Sequence, residues 1–101
     1  MKPIILHHEA ELEVLHAVAY YDQQREGLGD EFQEQLEIAV KQIRRMPQVF
    51  SPYGEEGLRK CVLPRFPYSI FFLELDDCIW IAAVAHQKRK PGYWAARQPN
   101  E

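Results

Sequence analysis

Cysteine is scarce in this 101-residue chain, and what there is excludes two classes of protein. Cys61 and Cys78 form no CxxC spacing and are too few for a disulfide framework, so both are expected as reduced strand residues. Long apolar runs are absent too. The opening MKPIILHHEAE holds only three consecutive apolar residues, unlike the core of a signal peptide, and no stretch approaches the length of a membrane span. The expected compartment is therefore the cytoplasm, with no membrane partner. Metal-ligand spacing is missing as well: His7 and His8 are adjacent and would face opposite sides of a strand, and His16 is not at i+4 from either. No metal and no cofactor is expected. Repeats, low-complexity segments and linkers are also lacking, so residues 1–101 read as one domain.

An overall basic excess is the next absence. The formal net charge is −3, which does not suit a general nucleic-acid binder. The cations are unevenly placed, however. Between Ile79 and Asn100 stand Lys88, Arg89, Lys90 and Arg97 with no acidic residue among them. Such a local basic region can meet a phosphate or an acidic partner.

What the chain does have is clear periodicity. PIILH (3–7) is short and β-branched and is expected as an edge strand. From Glu9 to about Arg25 the period becomes helical, with Leu12, Leu15 and Ala19 forming an apolar stripe beside Val18 and Tyr21. Glu9, Glu11 and Glu13 lie in the first turns, where carboxylates suit the helix dipole. Gly27 is expected as a C-cap. A second helix from about Asp30 carries Phe32, Leu36, Ala39, Val40, Ile43 and Met46 and closes at Pro47. Residues 48–57 read as loop. Strands are then expected at 58–63, 68–75 and 78–86, with PRFP punctuating the first pair and Asp76-Asp77 making a tight turn. The fold class is α+β, in the order βααβββ, with a helical hairpin on one face of a mainly antiparallel sheet.

The strands are apolar on both faces. Tyr68, Ile70 and Phe72 point one way, and Phe71, Leu73 and Leu75 the other; Ile79 and Ile81 oppose Trp80 and Val84. Two helices can cover only one face. The second calls for a cover to which the chain's own tail, through Tyr93 and Trp94, and a partner chain are both expected to contribute.

Three stretches together carry a resemblance: AVAYYDQQREGLGDEF (17–32), LRKCVLPRFPYSIFF (58–72) and IAAVAHQKRKPGYW (81–94), with Pro47 between them. In this order they resemble toxins of the RelE/ParE superfamily, the toxic half of bacterial type II toxin–antitoxin pairs. The resemblance covers essentially the whole chain. It implies the βααβββ fold and a hetero-oligomer with a cognate antitoxin protein. It implies one of two targets: DNA gyrase, which ParE-like members poison without chemistry of their own, or ribosome-bound mRNA, which RelE-like members cut without a metal.

Cutting through the ribose 2′-OH requires a base, cations for the charge growing on the phosphate, and an acid for the leaving oxygen. For that reading the candidates are His86 as base or acid, Arg65 and Arg89 as phosphate clamp, Arg59 in support, and Tyr93 stacking on or orienting a base. Glu55 or Glu56, in the preceding loop, is a candidate carboxylate base whose reach the sequence does not give. For target or antitoxin binding the candidates are Lys60, Arg89, Tyr93, Trp94 and Arg97. Each also has a structural use. His86 can simply end a strand, Tyr93 and Trp94 can anchor the core, and Lys88 and Lys90 can be a solvated face. The acidic balance, and the presence of only three cations in LRK and PRF, favour the ParE-like reading. An inactive antitoxin-binding relative stays open, since fold does not fix activity.

Overall fold

A computed structural model describes residues 1–100. Strand β1 (Ile4–Leu6) leads into α1 (His8–Gln24) and α2 (Leu28–Arg45). A 3-10 turn at Pro47–Val49 follows, then β2 (Ser51–Pro52), β3 (Arg59–Val62), β4 (Tyr68–Glu74) and β5 (Ile79–His86). The sheet order is β1-β5-β4-β3-β2, with β1 parallel to β5 and every other pair antiparallel. The expected α+β architecture is therefore present, and β1 is an edge strand. No helix among the described residues is long and apolar enough to cross a membrane.

The second helix forms as its periodicity predicts. Phe32, Leu36, Ala39 and Ile43 are buried on one face, acids occupy the first turn and Arg44 and Arg45 the last. Met46 departs from the expected stripe: it is the C-cap rather than a helical residue, and it is 55% exposed. The first helix departs more. Leu12, Leu15 and Ala19 point outward, and the face packed on the sheet consists of Ala10, Val14, Ala17, Val18 and Tyr21. Small side chains at 10 and 17 let the helix lie close to the strands, and the larger leucines are left on the opposite side.

The hairpin between the helices turns at Gly27, whose φ of 86° suits glycine, although it precedes α2 and Arg25 is the residue that caps α1. Gly29 is needed for proximity. A Cβ there would lie 2.5 Å from the Val18 carbonyl oxygen, and its N–H donates to Asp22 Oδ1 at 2.8 Å. The segment expected as loop, 48–57, contains β2, which pairs Ser51 with Lys60 and Pro52 with Arg59. Asp76-Asp77 makes the expected tight turn, closed by Leu75 N–H donating to the Cys78 carbonyl at 2.8 Å.

The strands bury both faces, as their composition requires. Ile70, Phe72, Ile79 and Ile81 meet the helices, while Phe71 and Trp80 lie in a second cluster with Trp94. Val84 joins the helix side instead of opposing Ile81. The cause is a bulge: Phe71 pairs with Ala83 and Phe72 with Ile81, so Ala82 is an extra residue that shifts the alternation.

Candidate functional site

The C-terminal tail covers part of the second face, over Phe71. After His86 the chain reverses: Arg89 N–H donates to the His86 carbonyl at 3.0 Å, and Lys88 N–H donates to His86 Nδ1 at 3.0 Å. His86 Nδ1 is therefore an acceptor in this turn. Pro91-Gly92 then turns the tail back over the sheet. Trp94 is buried and stacks on Phe71 with ring centroids 4.0 Å apart. Tyr93 meets Trp94 edge-on, and the Arg89 guanidinium sits 4.0 Å from the centroid of the Tyr93 ring.

One carboxylate fastens this tail. Glu13, on α1, accepts from Arg97 at 3.0 and 3.2 Å, from the Tyr93 hydroxyl, and from Val84 N–H at 2.9 Å. Arg97 also donates to the Ala82 carbonyl at 2.9 Å. Both partners of the Arg97–Glu13 pair are largely buried, with side chains 13% and 14% exposed. Beyond Ile81, β1 no longer covers the edge of β5, so the backbone groups of Ala82 and Val84 would stand open there. Arg97 and Glu13 take their place. Burial and the hydrogen bond to Glu13 push the Tyr93 phenol far above its ordinary value of 10.0, against a smaller opposite pull from Arg89 and Arg97.

The structure divides the residues singled out in the sequence. Lys60, His86, Arg89 and Trp94 border one small cavity of about 100 Å³. Tyr93 stands beside it through Arg89, with its proton held by Glu13. Arg65 is elsewhere: it pairs with Glu31 at 3.0 Å, as Arg25 does at 2.9 Å, and these two cations lower the Glu31 pKa. Arg59 donates to the Phe50 carbonyl at 2.7 Å and so braces the start of β2. Glu55 and Glu56 line a different and larger cavity of about 410 Å³, beside Trp94 and Arg97. Among the described residues, no three metal-ligating side chains converge.

The sequence profile described as the ParE toxin of the type II toxin-antitoxin system parDE matches residues 4–91. The chain belongs to the ParE toxin family. It is also similar in fold to a chain of the chromosomal ParDE TA system from P. aeruginosa. That likeness has a TM-score of 0.65 at 19% identity, over 85% of this chain and 96% of the other. Among curated proteins, none matches the chain in sequence.

The range matched to the ParE family ends at Pro91, so Tyr93, Trp94 and Arg97 lie beyond it. Two residues of the site escaped the sequence reading. Glu13 looked like one more acid near a helix N-terminus, yet it stands at i+3 from Ala10 and four before Ala17, inside the buried stripe of α1. A carboxylate in an apolar stripe was the available signal. Ser69, a hydroxyl between Tyr68 and Ile70 in an apolar strand, is 2% exposed and was read only as strand.

Proposed function

We propose that this ParE-family chain inhibits growth when free by poisoning DNA gyrase in the cytoplasm, and that a cognate antitoxin neutralises it. The observation that carries this over RNA cleavage is the dispersal of the nuclease candidates. Arg65 is bound to Glu31 and Arg59 to a backbone carbonyl, which leaves His86, Arg89 and Tyr93 together without the other two cations. Tyr93, the candidate for stacking on a base, already has Arg89 4.0 Å from its ring centroid, Trp94 edge-on to it, and its hydroxyl on Glu13. The acidic net charge points the same way.

For the antitoxin, the exposed stripe of Leu12 and Leu15 on α1 offers an apolar surface for an amphipathic helix, since Leu12 is 43% and Leu15 63% exposed. On the second face of the sheet the tail covers Phe71, while Leu58, Leu73 and Trp80 line the cavity of about 410 Å³. The deciding experiment adds purified toxin to a gyrase supercoiling reaction and scores trapped double-strand breaks, alongside primer extension on a translated message. Trapped breaks with uncut message support the proposal. Translation-dependent cuts that vanish in His86→Ala would replace it with the RelE-like reading, and growth without arrest would point to an inactive relative.

A further inference from the structure

The sheet face that the tail covers only in part carries a row of apolar side chains set by the strand register. Leu73 pairs with Trp80 across β4 and β5. Leu58, just before β3, falls opposite Leu73, because Arg59 pairs with Phe72. These three form one wall of the cavity of about 410 Å³, and Trp94, Ala95 and Pro99 of the tail form another. The volume is the share of roughly fourteen waters and lies in the roughly 300–1,000 Å³ range of small-molecule sites. It has room for a ring with a short chain.

The charge at this cavity is of one sign once internal pairs are taken out. Glu55, Glu56 and Arg97 are the charged side chains that border it. Arg97 is already engaged by Glu13 and by the Ala82 carbonyl. Among the described residues, no cation lies within ion-pair distance of Glu55 or Glu56. Lys60 rests against the Tyr53 ring and borders the small cavity at the end of β5 instead. Two exposed carboxylates thus overlook apolar walls without a counter-charge, and walls that exclude water on one side strengthen their field. A neutral apolar molecule would use the walls alone, and an anion would be repelled. A cation with an apolar body uses both features.

We propose that this cavity binds a small organic cation, an ammonium group carried on an aromatic or branched apolar body. The body lies against Leu58, Leu73 and Trp80, and the ammonium faces Glu55 and Glu56. The site goes beyond the gyrase reading and does not depend on it. A chain that fails to trap gyrase breaks can still bind an amine here, so the two experiments fail separately.

The test uses three probes of similar shape and different charge: 2-phenylethylamine, 2-phenylethanol and 3-phenylpropanoate. Trp80 and Trp94 are the two tryptophans of the chain, and both line the cavity, so their indole N–H signals in heteronuclear NMR of the full chain report occupancy. The amine is expected to shift both signals saturably at low ionic strength. It should bind about threefold or more tighter than the alcohol, the scale of exposed ion pairs, with the carboxylate weakest. Added salt should weaken the amine alone.

The Glu55→Gln/Glu56→Gln variant should bring the amine down to the affinity of the alcohol while leaving the alcohol unchanged. Glu34→Gln/Glu37→Gln makes the same change in net charge on the exposed face of α2 and should keep the preference for the amine. Equal affinity of amine and alcohol in the parent, a response without saturation, or the same loss in the α2 variant would overturn the site. Shifts that spare both indoles would overturn it too. Loss of the alcohol together with the amine in Glu55→Gln/Glu56→Gln would mean that the acids shape the cavity rather than meet the ligand, which would overturn the role given to them.

Discussion

Replacing Glu13 with alanine removes the acceptor on which the tail depends. Four hydrogen bonds reach this carboxylate: two from Arg97, one from Tyr93 and one from the Val84 backbone. Without it, a guanidinium that is 13% exposed loses its counter-charge, and Val84 N–H faces a position that β1 does not reach. Removing one partner of a buried pair costs roughly 3–5 kcal/mol. The residual exposure of both side chains lets water compensate in part, so the low end, about 3 kcal/mol, is expected. That is a large share of the roughly 5–15 kcal/mol that holds a domain together. For a chain of this length it corresponds to a fall in Tm of roughly 12 °C or more.

Urea titration followed by tryptophan fluorescence reports this well, because Trp94 belongs to the tail and Trp80 to the cluster it joins. The midpoint should fall with the slope unchanged. The Glu13→Ala/Arg97→Met double variant should recover part of the loss, since no charge is then left unpaired. A loss below about 1 kcal/mol for Glu13→Ala would place the pair among ordinary surface salt bridges and refute the reasoning.

Trp94→Ala should cost about 3–5 kcal/mol and open Phe71 to water, so binding of a hydrophobic dye should rise along with the fall in midpoint. The Glu31 carboxyl is depressed by Arg25 and Arg65 below its ordinary value of 4.5. Its stabilising contribution is therefore complete above that value and is lost as pH falls through the lower, folded-state one. The midpoint difference between parent and Glu31→Gln should accordingly shrink as the solution is acidified from neutrality, and a difference that grows would be the wrong sign. Leu15→Asp, on the exposed stripe of α1, should change stability by no more than about 0.5 kcal/mol while weakening co-purification with the antitoxin. If co-purification is retained, the antitoxin sits elsewhere.

How far the sequence could be read depended on whether one pattern or two were available at each element. In α2 only Phe32, Leu36, Ala39 and Ile43 make a stripe, and those residues are buried. In α1 two stripes compete: Leu12, Leu15 and Ala19 carry more apolar surface, yet the sheet takes Ala10, Val14, Ala17 and Tyr21. Hydrophobicity alone favours the leucines. Close approach to the strands favours the alanines, and that preference exists only once the sheet is in place. The bulge at Ala82 is similarly invisible in a run of apolar residues, but it decides that Val84 turns toward the helices.

The candidate site shows the same limit at longer range. The fold-back of Tyr93 and Trp94 was legible, because Pro91-Gly92 breaks the chain and the second face lacked a cover. The grouping of basic residues was not. Arg59 and Lys60 are neighbours in sequence, yet alternation across the strand sends Lys60 to the cavity and leaves Arg59 bracing the Phe50 carbonyl. Arg65 looked equivalent to Arg89 until Glu31, distant in sequence, claimed it. A cation's role here follows from which acid reaches it first. Glu31 and Glu13 take Arg65 and Arg97, while Lys60 and Arg89, which no carboxylate pairs among the described residues, border the small cavity.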